Sequence, residues 1–556
     1  MEGHDLDTLQ DQSEPTRGIS QHDDHDDTGD LEHQYHAKTR TVDNGAATNG
    51  LFASQASLRA MRRIRSNNGH GCADLHHDAD ETEADGAEKT DTERFLVRWD
   101  GDKDPFCPRS RSLLHRWIIV IIVGMGSLCV TCASSIYTST YHQITAEFEI
   151  STIVATLGLS TFVLGLSLGP LLLSPLSEFY GRRPIYIASW AIFLIWLIPS
   201  AVAKNAETTI IARFFDGFAG SAFLSVSGGT VSDLFRPDAI QAPMIIISMS
   251  PFIGPSLGPL LGGFINYNVN WRWTFYFMLI WAGVMMVCIF VLVPETYHPI
   301  KLREKARHLR KTTENSRWKS PMELSQKSIL QSITRSFSRP FQLLIYEPIC
   351  LLLCLYSAIL LGILYLFFGA FSLVFGNVYG FSLWQIGLAF MGIFTGMIAA
   401  SATKPVWHRI HMRLLERNGG VSEPEFQLPS AVAGGVLVPI GLFWFAWTIY
   451  AQVHWIVPII GSGVFGMGTL LVFTGIFTFL VDAYPAFAAS ALAANTFTRC
   501  AFAAAFPLFG LQMYNKLGYH WASSLLAFLT ATMMPFPWLF FRYGKQLRKR
   551  SRFAEA

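Results

Sequence analysis

From about residue 113 onward the chain alternates long apolar runs with short polar breaks, and the length of the runs decides what they can be. A helix rises about 1.5 Å per residue, so about 20 apolar residues cross the ~30 Å hydrocarbon core of a bilayer. Runs of that length lie at 115–138, 152–174, 184–203, 207–230, 241–265 and 273–293, and again at 348–374, 383–403, 430–450, 454–481, 486–510 and 519–541. A polar, basic stretch separates the first six from the second six. Residues 1 to about 90 carry no sustained apolar period and are rich in Asp, Glu, Ser, Thr, Gly and His, the pattern of a disordered tail. The pattern predicts an all-α integral membrane protein of 12 transmembrane helices. Its parts are a tail (1–112, of which Phe95–Ser112 leads into the first span), a six-helix half (113–293), a basic loop (294–347), a second six-helix half (348–541) and a short C-terminal tail (542–556).

Composition agrees: 51% of the 556 residues are hydrophobic and only 15% charged. The net charge of +2 hides a local asymmetry that sets orientation. Lys204, Arg272 and Lys516 are the basic residues of one set of loops. The other set holds Arg182, Arg183, Arg236, the run from Lys301 to Arg339, Lys404, Arg409, Arg413, Arg417 and the basic C-terminus. Basic loops stay in the cytoplasm, so both termini are expected inside. The eight cysteines are too few and too poorly placed for a disulfide framework, and Cys129 and Cys132 read as small packing residues. No signal peptide is expected.

Two tail segments admit a sharper reading beside a plain one. The run His22–Asp27 has weak metal ligands within an otherwise solvated low-complexity stretch. Leu58–Ser66 is basic with interleaved apolar residues, suited to the anionic inner leaflet, to a kinase acting on Ser66, or to a charged linker.

The segment 251–265 places Gly254, Gly258 and Gly262 four residues apart, with Gly263 next to the last and Pro255 and Pro259 after the first two. On a helix these glycines form one smooth stripe that permits close helix contact. The prolines remove backbone hydrogen bonds, which a membrane bundle tolerates when neighbours supply replacements. At the end of span 2, PLSEFYGRRP offers the elements of a cytoplasmic latch: Glu178 as carboxylate, Gly181 as helix breaker, and Arg182 and Arg183 as donors.

That segment resembles the short signature between spans two and three of the major facilitator superfamily, in the form seen in fungal twelve-span drug:proton antiporters. The glycine that usually opens it is Ser174 here. RFFDGFAGSAF (213–223), GGTVSDLF (228–235), the glycine-proline stretch, WRWTFYF (271–277), PETYHP (294–299), VDAYPAFAASALAANTFTR (481–499) and FPLFG (506–510) resemble the same group in the same order. The resemblance spans about 95–552. It implies two six-helix halves around a central cavity, alternating access, and a direction of transport set by the antiporter-type stretch. KPVWHRIHMR (404–413) stands at the equivalent of the latch in the second half, without its acid or its glycine.

Within the spans, acids away from helix ends are almost absent, and Asp216 is the exception. It follows Arg213 by three residues, about 14 Å into span 4, and such intramembrane charge marks a functional site by default. The resembled family often carries glutamine at that position in an Arg-x-x-polar-Gly pattern tied to proton handling. Two readings stand: Asp216 exchanges the coupling proton with Arg213 as its charge partner, or the two form a permanent salt bridge. Arg499, about 20 Å along span 11, either offsets a helix dipole, packs, or binds an anionic group. Asp233 and Asp482 close spans 4 and 10 as caps or latch acids.

No GxxxxGK[ST] loop, HExxH or nucleophile elbow occurs, so neither an enzyme nor an ATP-driven pump is expected. No metal or cofactor is expected either, the proton gradient being the energy source. One proton moving through ~100 mV and one pH unit sustains roughly a 400-fold substrate gradient. By resemblance, spans 1, 4, 7 and 10 line the cavity. Tyr137, Tyr365, Phe368, Phe473 and Phe477 are then the aromatic candidates, suited to apolar or cationic drugs.

The leading expectation is a monomeric, proton-coupled plasma-membrane exporter of hydrophobic or amphipathic small molecules, with no nucleic-acid partner. A dedicated exporter of one metabolite or polyamine and a transporter-fold sensor are the alternatives.

Overall fold

The computed structural model describes residues 95–101, 104–236, 239–324, 329–549, 551 and 553. The acidic His22–Asp27 run and the Leu58–Ser66 segment lie outside them. The described chain is helical, and its one β-type contact is an isolated bridge between Leu96 and Lys319.

Eleven of the described helices are long and apolar enough to cross a bilayer. They are spans 1 to 6 (Leu113–Phe148, Thr152–Tyr180, Arg182–Val202, Ala206–Leu234, Ala242–Asn268, Arg272–Leu292), spans 7 to 10 (Pro348–Tyr379, Leu383–Arg417, Pro429–Trp447, Ile456–Ala483) and span 12 (Tyr519–Arg548). Span 11, Ala488–Leu517, has the length, but alanines and polar residues such as Asn495 and Arg499 dilute its apolar character. It packs between span 7 and span 2 of the opposite half, so its main neighbours are protein helices.

One hydrophobic core runs through both halves, and the halves meet along seams of span 2 against span 11 and span 5 against span 8. Small residues make these seams close. Ser160 donates to the Ala504 carbonyl (2.6 Å) and Ser167 to that of Phe497 (3.3 Å) across the first. At the second, a Cβ on Gly387 would lie 2.5 Å from the Pro259 carbonyl oxygen. Span 5 itself keeps Pro251, Pro255 and Pro259 inside a continuous helix.

The sequence boundary at residue 112 gives way to more order than expected. Phe95–Trp99 runs beside Lys319 of the central loop, exchanging backbone bonds at 3.0 Å. Lys305, on loop helix His298–Thr313, is buried and donates to Asp100 and Asp104, both at 2.6 Å, and to the Arg98 carbonyl. Burial pushes the Asp104 carboxyl up, but bonds from Lys305 and from the Phe106 and Asp100 amides outweigh it and hold it below its ordinary value. The segment is ordered because the loop supplies this countercharge, a non-local partner that local polarity does not disclose. A second loop helix, Ile329–Tyr346, bridges the ends of spans 2 and 11. Six described cysteines are free thiols while Cys107 is disulfide-bonded, one more cross-link than its spacing suggests.

Candidate transport site

Between the halves the Tyr365 hydroxyl of span 7 meets Ser134 Oγ of span 1 at 3.0 Å. Close by, span 1 breaks into a 3-10 turn at Tyr137–Thr140. The tightening alters carbonyl pairing just before the turn, and Arg213 Nη2 donates there, to Ala133 O (2.8 Å) and Ser134 O (3.3 Å). Its guanidinium is also stacked over Phe162 and Tyr137, 4.2 and 4.8 Å from their centroids. Arg213 is thus buried with Nη2 bonded and its plane covered by two rings, while Nε has no partner.

Asp216 is fully buried and points elsewhere. It faces Ser200 of span 3, whose hydroxyl donates instead to the Trp196 carbonyl, so neither carboxylate oxygen has a hydrogen-bond partner. The permanent Arg213–Asp216 salt bridge is not formed. The i,i+3 spacing brings the backbone positions together, but the long arginine reaches toward span 1 while the short acid stays between spans 3 and 4.

On the second half, Arg499 projects from span 11 into a cage of three rings. Phe252 of span 5 stacks on Phe473 of span 10 at 5.0 Å, and Phe473 on Phe477 at 6.0 Å. The guanidinium lies 5.6, 5.4 and 4.9 Å from these three centroids. Its Nε and Nη1 are buried without a partner. Of the aromatic candidates, Tyr365, Phe473 and Phe477 reach the seam between halves. Tyr137 packs within the first half against Tyr141 and Phe275, and Phe368 within the second against Phe390. Phe252 had no sequence signal beyond lying in the glycine-proline stretch.

The latch forms with different acids from the one expected. Glu178 is exposed. Glu295, from PETYHP after span 6, accepts from the backbone amides of Arg182 (2.9 Å) and Arg183 (3.2 Å), the first turn of span 3. A carboxylate at a helix N-terminus is favoured by the unsatisfied amides and the dipole. Gly181 adopts φ +101° and leaves room for that carboxylate, since a Cβ there would sit 2.2 Å from Glu295 Oε2. Arg182 Nε pairs with Asp233 at 3.3 Å, placing the acid at the end of span 4 in the latch. Arg183 donates to the Phe290 carbonyl.

The second half carries a counterpart with the signs exchanged. Glu425, between spans 8 and 9, accepts two bonds from Arg548 at the end of span 12 (2.8 and 2.9 Å). In both halves the loop after the second helix is thereby tied to the segment ending the sixth. The Lys404–Arg413 segment does not supply this contact.

The glycine stripe faces span 1 of its own half. Cβ atoms at Gly254, Gly258 and Gly262 would lie 2.0, 1.9 and 2.8 Å from the hydroxyls of Thr131, Ser135 and Ser139. Gly263 instead faces the Leu383 carbonyl of span 8, across the seam. Two paired six-helix halves with this latch and stripe specify a narrow class of proteins, and residues 123–507 match the Major Facilitator Superfamily profile. The chain belongs to the major facilitator superfamily. This major facilitator chain is 54% identical over 476 residues to the efflux pump atB of Aspergillus terreus, covering 84% of this chain and 92% of that protein. It is 43% identical over 448 residues to the probable drug/proton antiporter YHK8 of Saccharomyces cerevisiae, covering 80% and 87%. In fold it is similar to the human organic anion transporter MFSD10 (TM-score 0.53, 17% identity, 76% and 99% covered). It is likewise similar to the inward-open xylose transporter XylE of Escherichia coli (TM-score 0.55, 15% identity, 76% and 96% covered).

Proposed function

We propose that this multi-pass membrane protein is a proton-coupled exporter of hydrophobic or amphipathic small molecules, working by alternating access at the plasma membrane with both termini in the cytoplasm. The relatives named as an efflux pump and a drug/proton antiporter support export. The observation that carries the coupling is Asp216, a carboxyl wholly inside span 4 with neither oxygen partnered. An ionised carboxylate left so costs several kcal/mol, so this arrangement suits the neutral acid. Rocking of the halves exposes Asp216 to water or turns it toward Arg213, and the proton leaves. The latch of Gly181, Arg182, Arg183, Glu295 and Asp233 and the Glu425–Arg548 pair hold the cytoplasmic ends of each half as rigid units during that motion.

A compound panel in efflux-deficient yeast, followed by vesicle transport of each hit with and without an imposed pH gradient, tests the reading. Hits whose movement follows the gradient support it. Movement indifferent to the gradient, with correctly inserted protein, removes the antiporter assignment.

A further inference from the structure

The two buried arginines of the seam are not equivalent. Arg213 donates to two carbonyls of its own half and leaves Nε alone without a partner. Arg499 leaves two nitrogens without an acceptor, and the titratable groups that face it are Cys500, Tyr365 and Cys354, none of them an acid. Asp216 is turned against Ser200 of span 3 and is not among the groups that face Arg499. Burying a guanidinium carries a desolvation cost that contacts with ring faces offset only in part. The cage supports the side chain without neutralising it. Arg499 also sits well inside its helix, away from any terminal dipole. The residue as a whole is only partly buried, but its unpartnered Nε and Nη1 are enclosed in this arrangement, so an anion reaches them when the halves move apart.

We propose that Arg499 is the recognition point for a negative charge on the exported molecule, and that the substrate class is a weak organic acid with an aromatic or otherwise flat apolar body. The carboxylate or enolate takes the free guanidinium nitrogens. The apolar body lies against Phe252, Phe473 and Phe477, which come from both halves, so substrate binding is sensitive to their relative position. Positive charge at Arg499, with no carboxylate among the described groups that face it, opposes the cationic drugs that aromatic residues alone suggest. This inference rests on the export reading for its direction but not for its binding site.

The test uses the full-length protein in detergent and in proteoliposomes with three probes sharing one ring system: 2-naphthoate, neutral 2-naphthamide and cationic 2-naphthylmethylammonium. Binding is read by competition against radiolabelled 2-naphthoate and directly by tryptophan fluorescence. Wild type is expected to favour the anion over the cation by about tenfold or more, the worth of a charge-assisted hydrogen-bonded pair. Arg499→Gln should weaken 2-naphthoate to the level of 2-naphthamide while leaving 2-naphthamide unchanged, which also reports intact folding. Arg499→Lys should recover part of the anion preference. A cation preference, no preference or no binding in wild type overturns the proposal, as does an Arg499→Gln protein that still ranks the three probes as wild type does. Gradient-driven export confined to neutral or cationic compounds keeps the export reading and removes this one. Anion binding through Arg499 with transport indifferent to pH does the reverse.

Discussion

The hydroxyl of Tyr365 and Ser134 Oγ meet at 3.0 Å, joining span 7 of one half to span 1 of the other beside Arg213. A contact made across the seam contributes only to conformations in which the halves are closed there. Tyr365→Phe removes one buried hydrogen bond, worth about 1 kcal/mol, and should shift the closed-to-open ratio about fivefold toward open. Spin-label distances across the span 5–span 8 seam read that ratio, and an unchanged distribution would contradict the role.

Gly181 and Glu295 give the latch its sharpest substitutions. Gly181→Ala brings a Cβ 2.2 Å from the Glu295 carboxylate at a positive φ, and should cost about 1–3 kcal/mol of stability and most transport. Glu295→Gln should lower thermal stability by about 1–2 kcal/mol through weaker bonds to the first turn of span 3. Glu178→Gln, on an exposed side chain, should change neither. Thermal unfolding and uptake of the three single variants decide this, and equal losses at positions 178 and 295 would restore Glu178 to the latch.

Gly258 marks where span 5 touches span 1. A side chain there collides with Ser135 Oγ and the Ile136 amide, so Gly258→Leu should force the helices apart and lower monodisperse yield and transport together, by about 3 kcal/mol or more in stability. Gly283→Ala, with open space around its Cβ, should be tolerated. A Gly258→Leu protein of normal stability that only changes substrate preference would contradict the packing role.

His298 gives the loop a pH dependence. Its Nε2–H donates to the Asp233 carbonyl at 2.8 Å, and burial, with Arg109 nearby, outweighs that bond and pulls the imidazole from 6.5 down to about 4. The unfolded chain binds a proton at higher pH than the folded one, so stability present above about 6.5 is lost as pH falls toward about 4, up to about 3 kcal/mol. His298→Gln should show a smaller drop in melting temperature between pH 7.5 and 5 than wild type. An identical drop would place the titration elsewhere.

Eleven spans were readable because hydrophobic length is a local property, and the twelfth, the alanine-rich span 11, shows mainly in its helical length. The glycine stripe was readable as a contact face, but its partner, span 1, was not. The latch shows the limit most clearly. Gly181, Arg182 and Arg183 stand together in sequence, whereas their acid, Glu295, arrives more than a hundred residues later, and the nearby Glu178 was the natural local choice. Arg213 and Asp216 were readable as charges inside a membrane, but side-chain direction depends on which neighbouring helix offers carbonyls. Glu425 and Arg548 carried no signal beyond composition, since opposite charges in two distant loops are common.

Transport by Asp216→Asn in proteoliposomes with an imposed pH gradient decides whether Asp216 carries the coupling proton. Wild type should accumulate substrate in response to the gradient, up to about tenfold per pH unit for one proton. Asp216→Asn, folded and inserted, should accumulate it no further with the gradient than without. A variant that keeps the full wild-type response would place the coupling proton on another group.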